Sequence, residues 1–195
     1  MPKINRSGQA KILSDAELSK IKKQLTSPSS LLLFDILRYT GERAGAIVQL
    51  QRLDVYDVTG RPREYITFRG ITRKAAAGKK AKTRQLLIHP ALKQSLEGFP
   101  AAKDSIWLFP SRGDASKHIT RQGADDLIRK ACDRAGLGGA GISLHSFRRT
   151  LITKLDRQGI GISTIRAITG HASLRSVQDY IDVSEEQVRN AIALL

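Results

Sequence analysis

Residues 170–180 read GHASLRSVQDY, a Gly-His pair followed, nine positions after His171, by Tyr180. The other tyrosines, Tyr39, Tyr56 and Tyr65, sit in apolar helix or strand settings and read as packing residues. Tyr180 stands among Gln178, Asp179 and Asp182, with less apolar company. A lone tyrosine is ordinarily a packing residue, so its meaning depends on the chain around it. Working outward, everything after His118 reads as helix. One helix spans roughly 120–135, and Gly138-Gly139 break the chain. SLHSFRRTLITKLDRQG (143–159) makes a second, ISTIRAITG (162–170) a third and SVQDYIDV (176–183) a short fourth. SEEQVRNAIALL (184–195) closes the chain as an amphipathic helix with capping-box spacing from Ser184 to Gln187.

The first half has a different character. Residues 1–13 are polar and basic and are expected to form a loose arm. Ser14 and Glu17 have capping-box spacing ahead of an apolar face of Leu18, Ile21 and Leu25. SSLLLFDILRYTG (29–41) is a second helix ended by Gly41, and ERAGAIVQL (42–50) a short third. Between Asp54 and Gly70 the pattern turns to alternating β-branched and aromatic residues around Gly60 and Pro62, the mark of a hairpin. The strand YITFRG (65–70) runs into a basic loop, ITRKAAAGKKAK (71–82), and TRQLLIHP (83–90) returns from it. Pro90 opens a further helix, and SIWLF (105–109) is a short buried strand or extended segment. The expected fold is mainly α, of the α+β kind: a helical domain over 14–195 with one small antiparallel sheet inserted.

Charge narrows the function. The 195 residues carry 33 Lys plus Arg against 18 Asp plus Glu, a net +15, and the pI is near 10.4. Such an excess points to a polyanion, nucleic acid first and an anionic membrane surface second. No apolar run approaches the ~20 residues needed to span a bilayer, and MPKINRSGQAK lacks the apolar core of a secretion signal. Cys132 is the single cysteine, which excludes an internal disulfide and suits a reducing cytoplasm. Four scattered histidines and that cysteine argue against a structural zinc site.

Three stretches hold groups suited to an anionic centre. In TGERAGAIVQL (40–50), Arg43 follows a tight glycine turn at a helix start, where an arginine can aim at a phosphate or simply be solvated. In LHSFRRT (144–150), His145 and Arg148 share one helical face and can bind two oxygens of one phosphate, while Phe147 and Leu151 turn to the core. GHASLRSVQDY adds His171 and Tyr180.

Taken in order, TGxR, a basic hairpin, HxxR, GH and a tyrosine nine residues on, the chain resembles the tyrosine recombinase family, also called phage integrases, from about Ser14 to the end. The resemblance implies the recombinase catalytic-domain fold and a site-specific recombinase that moves DNA elements without cofactor or external energy. In that reading Tyr180 is the nucleophile and forms a 3′-phosphotyrosyl link. Arg43 and Arg148 clamp the non-bridging oxygens, and His145 and His171 bond the phosphate and assist proton transfer. A hairpin lysine serves as general acid: Lys74, with Lys79 and Lys82 as runners-up. Arg73, Lys79, Lys80, Lys82 and Arg84 are expected to contact the DNA backbone. The partner is double-stranded DNA, with a tetramer on DNA assembled through the terminal helix 184–195, which could equally close its own core. Type IB topoisomerases share the chemistry and are the nearest rival, and a non-catalytic DNA-binding module is the third reading.

The sequence departs from the family's pattern in places. The acid common three positions after the first arginine, thought to buttress it, is Ala46. Phe147 replaces the usual leucine, and Arg149 stands where a histidine is frequent. A helical core-binding domain, which with the catalytic one clamps DNA, usually comes first; here 13 residues precede the first expected helix.

Overall fold

A computed structural model describes residues 9–73, 81–101, 104–181 and 185–193. Helix α1 (Asp15–Lys23) begins where the capping box requires: the Glu17 N–H donates to Ser14 Oγ and the Ser14 N–H to Glu17 Oε2. Leu18 and Ile21 of its apolar face are buried, as is Leu25 just beyond. Helix α2 (Pro28–Thr40) has Ser27 as N-cap and Pro28 in its first turn, and it stops at Gly41 in the left-handed region, φ 55°. Most of it is inside, Phe34 and Ile36 at 0% exposure. Helix α3 (Ala44–Ile47) is a single turn.

The sheet has two antiparallel strands, β1 (Tyr65–Phe68) and β2 (Arg84–Leu87), in the register Tyr65↔Leu87 to Phe68↔Arg84. Alternation puts Ile66 and Phe68 in the core and leaves Tyr65 43% exposed, so Tyr65 is not the packing residue its setting suggests. The turn at Gly60 closes on a bridge between Tyr56 and Pro62 rather than on a full hairpin. Helix α4 (Pro90–Glu97) starts at Pro90. The 105–109 stretch is extended, with Leu108 and Phe109 buried and Ile106 turned outward.

Helices α5 (Arg121–Arg134), α6 (Leu144–Arg157), α7 (Ile162–Thr169), α8 (Arg175–Gln178) and α9 (Glu185–Ile192) complete the chain. The expected Ser184–Gln187 capping box falls outside the described residues and side chains. Residues 10–13, the end of the expected arm, are packed down. Leu13 is 1% exposed, and its N–H donates to Thr150 Oγ1 of α6.

Two apolar clusters result. The larger joins α1–α5, the sheet and the start of α6 through Leu144 and Phe147. The smaller holds Ile152 of α6, Ile165 of α7 and Val177 of α8, with Tyr180 packed against it. Helix α6 enters both, so residues midway along it, between Phe147 and Ile152, stand at the seam. That is where the polar residues gather.

Candidate active site

The chain end of α2 builds one side of the seam. Thr40 Oγ1 donates to the Ile36 carbonyl and accepts the Glu42 N–H, which folds the chain back after Gly41. Glu42 turns inward and its side chain is fully buried. Its Oε1 accepts the Arg43 N–H at 2.8 Å, leaving the Arg43 side chain in the wall of a cavity of about 450 Å³. His145, His171, Asp179 and Tyr180 line the same cavity.

Arg148 lies beneath it, 1% exposed. Its Nη1 donates to the carbonyls of Gly41 (2.7 Å) and Thr169 (2.9 Å), and its Nη2 to His171 Nε2 at 2.8 Å. Of the five protons a guanidinium can donate, the Nε–H has no partner among the described residues. Burial, then the neighbouring Arg43, lowers its pKa to about 10, so it stays a cation at neutral pH.

The same bonds assign the state of His171. Arg148 can only donate, and its Nη2 lies 2.8 Å from Nε2 and 3.0 Å from Nδ1, so one ring nitrogen accepts. Thr169 Oγ1 spends its own proton on the Ile165 carbonyl, so at 2.7 Å it accepts from Nδ1–H. The ring is therefore neutral with its proton on Nδ1. Burial first, then Arg148 and Arg43, pushes its pKa down to about 3, which agrees.

Tyr180 follows α8, anchored by the fully buried Val177, and its hydroxyl stands 2.6 Å from His145 Nε2. The Tyr180 ring is 5.5 Å from both imidazoles, centre to centre. The phenol proton thus has an acceptor in place if His145 carries its own proton on Nδ1.

Five residues singled out in the sequence, Arg43, His145, Arg148, His171 and Tyr180, are accordingly together. Lys74, Lys79 and Lys80 lie outside the described residues, and Lys82 is exposed. Arg73 and Arg84, expected at the DNA backbone, are instead turned inward with side chains 10% and 11% exposed. Both are ion-paired to Glu42, because a buried carboxylate holds them more strongly than water does. Glu42 is a further residue of the site, outside the set that the sequence motifs mark. The signal for it was an acid inside TGER, next to the arginine, where the usual buttressing acid is replaced by Ala46.

Among known proteins, the phage integrase family's sequence profile matches residues 11–187. The tyrosine recombinase XerD of Bradyrhizobium diazoefficiens is 26% identical over 196 residues, covering 94% of this chain and 58% of that protein. The crystal structure of XerA recombinase superposes with a TM-score of 0.74 at 22% identity, covering 96% of this chain and 64% of that one. The XerH site-specific recombinase bound to difH substrate superposes at 0.69 with 20% identity, over 97% of this chain and 55% of that one. These likenesses establish a recombinase catalytic-domain fold. The chain belongs to the phage integrase family. It spans little more than half the length of the XerD protein it matches.

Proposed function

We propose that this chain is the catalytic domain of a site-specific DNA recombinase, cutting and rejoining double-stranded DNA through Tyr180. The observation that carries the proposal is the Tyr180 hydroxyl, 2.6 Å from His145 Nε2, in a cavity walled by Arg43 and His171 over the buried Arg148. The phenol passes its proton to His145 as its oxygen attacks the phosphorus. The P–Oη bond forms, the bond from phosphorus to the 5′ oxygen breaks, and the electron pair leaves with that oxygen. Charge gathered on the non-bridging oxygens meets Arg43 and the cationic guanidinium of Arg148 beneath the cavity. One such preorganised donor contributes about 3–4 kcal/mol. His171, neutral and held by Arg148, presents no competing charge.

A hairpin lysine, Lys74 by resemblance to the family, supplies the proton to the 5′ oxygen. Rejoining is the same path reversed. The phosphotyrosyl link keeps the bond's free energy, so no nucleotide cofactor is consumed. Such a catalytic domain acts as an oligomer on DNA, with α9 as the candidate connector; Val188 and Ile192 of that helix stand 47% and 63% exposed.

The test needs no target site. Supercoiled plasmid is incubated with the protein at low salt, without ATP or divalent metal, and quenched with detergent. Relaxed topoisomers and covalently attached protein are expected from the wild type and neither from Tyr180→Phe. Equal relaxation by both proteins would remove Tyr180 as nucleophile. A type IB topoisomerase would relax the plasmid but exchange no strands between two DNA partners.

A further inference from the structure

The buried Glu42 links several parts of the site. Its Oε2 takes Arg73 Nε at 3.1 Å and Arg84 Nη2 at 2.9 Å, one arginine from each limb of the hairpin. Arg148 Nη1 lies 3.8 Å from Oε1. The arginines then reach one target, the carbonyl end of α7. Arg84 Nη1 donates to Ile168 O, Arg148 Nη1 to Thr169 O, and Arg73 Nη2 to Gly170 O at 2.9 Å. Arg73 also holds the return limb through the Lys82 carbonyl.

Three successive carbonyls at a helix C-terminus are an electronegative end that cations stabilise. Three guanidiniums gathered out of water repel one another unless an anion sits among them. Glu42 is that anion. Burial alone would raise its pKa, yet Arg84, the Arg43 N–H and Arg73 outweigh burial and hold it below the ordinary carboxylate value. The next residue after these carbonyls is His171.

A second feature fits the same arrangement. Gly170 has φ 67°, and a Cβ built on it would stand 2.7 Å from Arg84 Nε and 2.8 Å from Arg84 Cδ, against the guanidinium of Arg73 as well. Both the backbone angle and the arginines require glycine there.

We propose that Glu42 is a positioning residue that ties both limbs of the hairpin to the loop carrying His171, taking up in this chain the buttressing left vacant by Ala46. It acts through Arg73, Arg84 and Arg148 and touches no reacting atom. The functional consequence rests on the recombinase reading; the tie itself does not.

Amide hydrogen exchange separates the two. In Glu42→Gln, nearly isosteric and neutral, exchange of amides in 81–84 and 168–172 is expected to quicken about tenfold or more, while those of α1 and α2 stay protected. The His171 ring resonance should move with them. Gly170→Ala, which displaces the same guanidiniums, should reproduce the local pattern even if the Gln variant folds poorly, and Glu42→Asp should be intermediate. In the plasmid assay Glu42→Gln should lower the rate of adduct formation about tenfold with affinity for a random-sequence duplex within about twofold, and Glu42→Asp should recover part of it. Unchanged exchange, or exchange quickened uniformly over the domain in both variants, would overturn the proposal. So would a wild-type adduct rate that Glu42→Gln leaves intact. If the wild type forms no adduct, the recombinase reading fails, and the exchange data still decide whether Glu42 holds hairpin and loop together.

Discussion

Arg148 shows how much one side chain can be asked to do. A flat guanidinium, 1% exposed, it bridges Gly41 at the end of α2, Thr169 at the end of α7 and the His171 ring. A lysine has a point charge and no fork, and cannot span those three partners in one plane. Arg148→Lys is expected to lower the rate of adduct formation by about 10²–10³, read by the plasmid assay, and to lower the urea midpoint. His171 brings a pH dependence whose sign follows from its depressed pKa. Folded, the ring takes a proton only near pH 3, whereas unfolded it does so near ~6.5. Between those values the unfolded chain binds the extra proton, so stability falls as pH drops below about 6.5. Glu42, with its folded pKa depressed, contributes stability above the unfolded carboxylate pKa and loses it as pH falls through the folded one. Going from about pH 7 to about pH 5, where carboxylates still ionise, the wild-type urea midpoint should drop, and His171→Gln should flatten that drop. Parallel wild-type and variant curves over that range would show that His171 is not held neutral.

At the scale of elements, helix ends place the site, and their caps can be tested one at a time. Gly41 ends α2 at φ 55°, and a Cβ there would meet Leu151 Cδ2 at 2.7 Å. Gly41→Ala should cost about 1–2 kcal/mol in backbone terms alone, read from urea unfolding, and should slow adduct formation because the Gly41 carbonyl is an Arg148 partner. Ser14→Ala removes the α1 cap far from the cavity. It should cost about 1 kcal/mol and leave adduct formation unchanged at a temperature where the variant is folded. The contrast between these caps separates general stability from placement of the site.

Over the whole molecule, two apolar clusters meet along α6, and the polar network fills the seam between them. That layout lets a +15 chain hold three arginines inside and still present a basic exterior. Because Arg73 and Arg84 are spent internally, the salt dependence of the proposed DNA binding is expected to come from exposed cations such as Lys82. Lys82→Ala is expected to lower the slope of log affinity against log salt by about 0.9, with little change in adduct rate at saturating DNA; a large loss of rate would instead make Lys82 the hairpin general acid in place of Lys74. Helix α9 carries apolar side chains outward, Val188 and Ile192 among them. Deleting 184–195 should shift the sedimentation of protein on paired DNA sites toward smaller assemblies; an unchanged profile would assign α9 to its own subunit.

Local chemistry in the sequence determined most of the helices and several of their limits, though the short helix expected over 176–183 forms only at Arg175–Gln178 and leaves Tyr180 beyond its end. Ser14 with Glu17, Pro28, Gly41, Pro90 and Gly170 act on backbone groups a few residues away, so their meaning can be read from spacing alone. The ordered Arg43, His145, Arg148, His171 and Tyr180 were legible for a related reason: each sits at a helix end or on a helical face that the sequence already marks. Burial of charge was not legible. Nothing local distinguishes Arg84, which stands inside against Glu42, from Lys82, which faces water two residues earlier. That difference depends on where the sheet, the end of α2 and the end of α7 meet in space, since a guanidinium leaves water only when a carboxylate and free carbonyls are assembled to receive it. Tertiary structure alone decided that Glu42 is the anion at that meeting point.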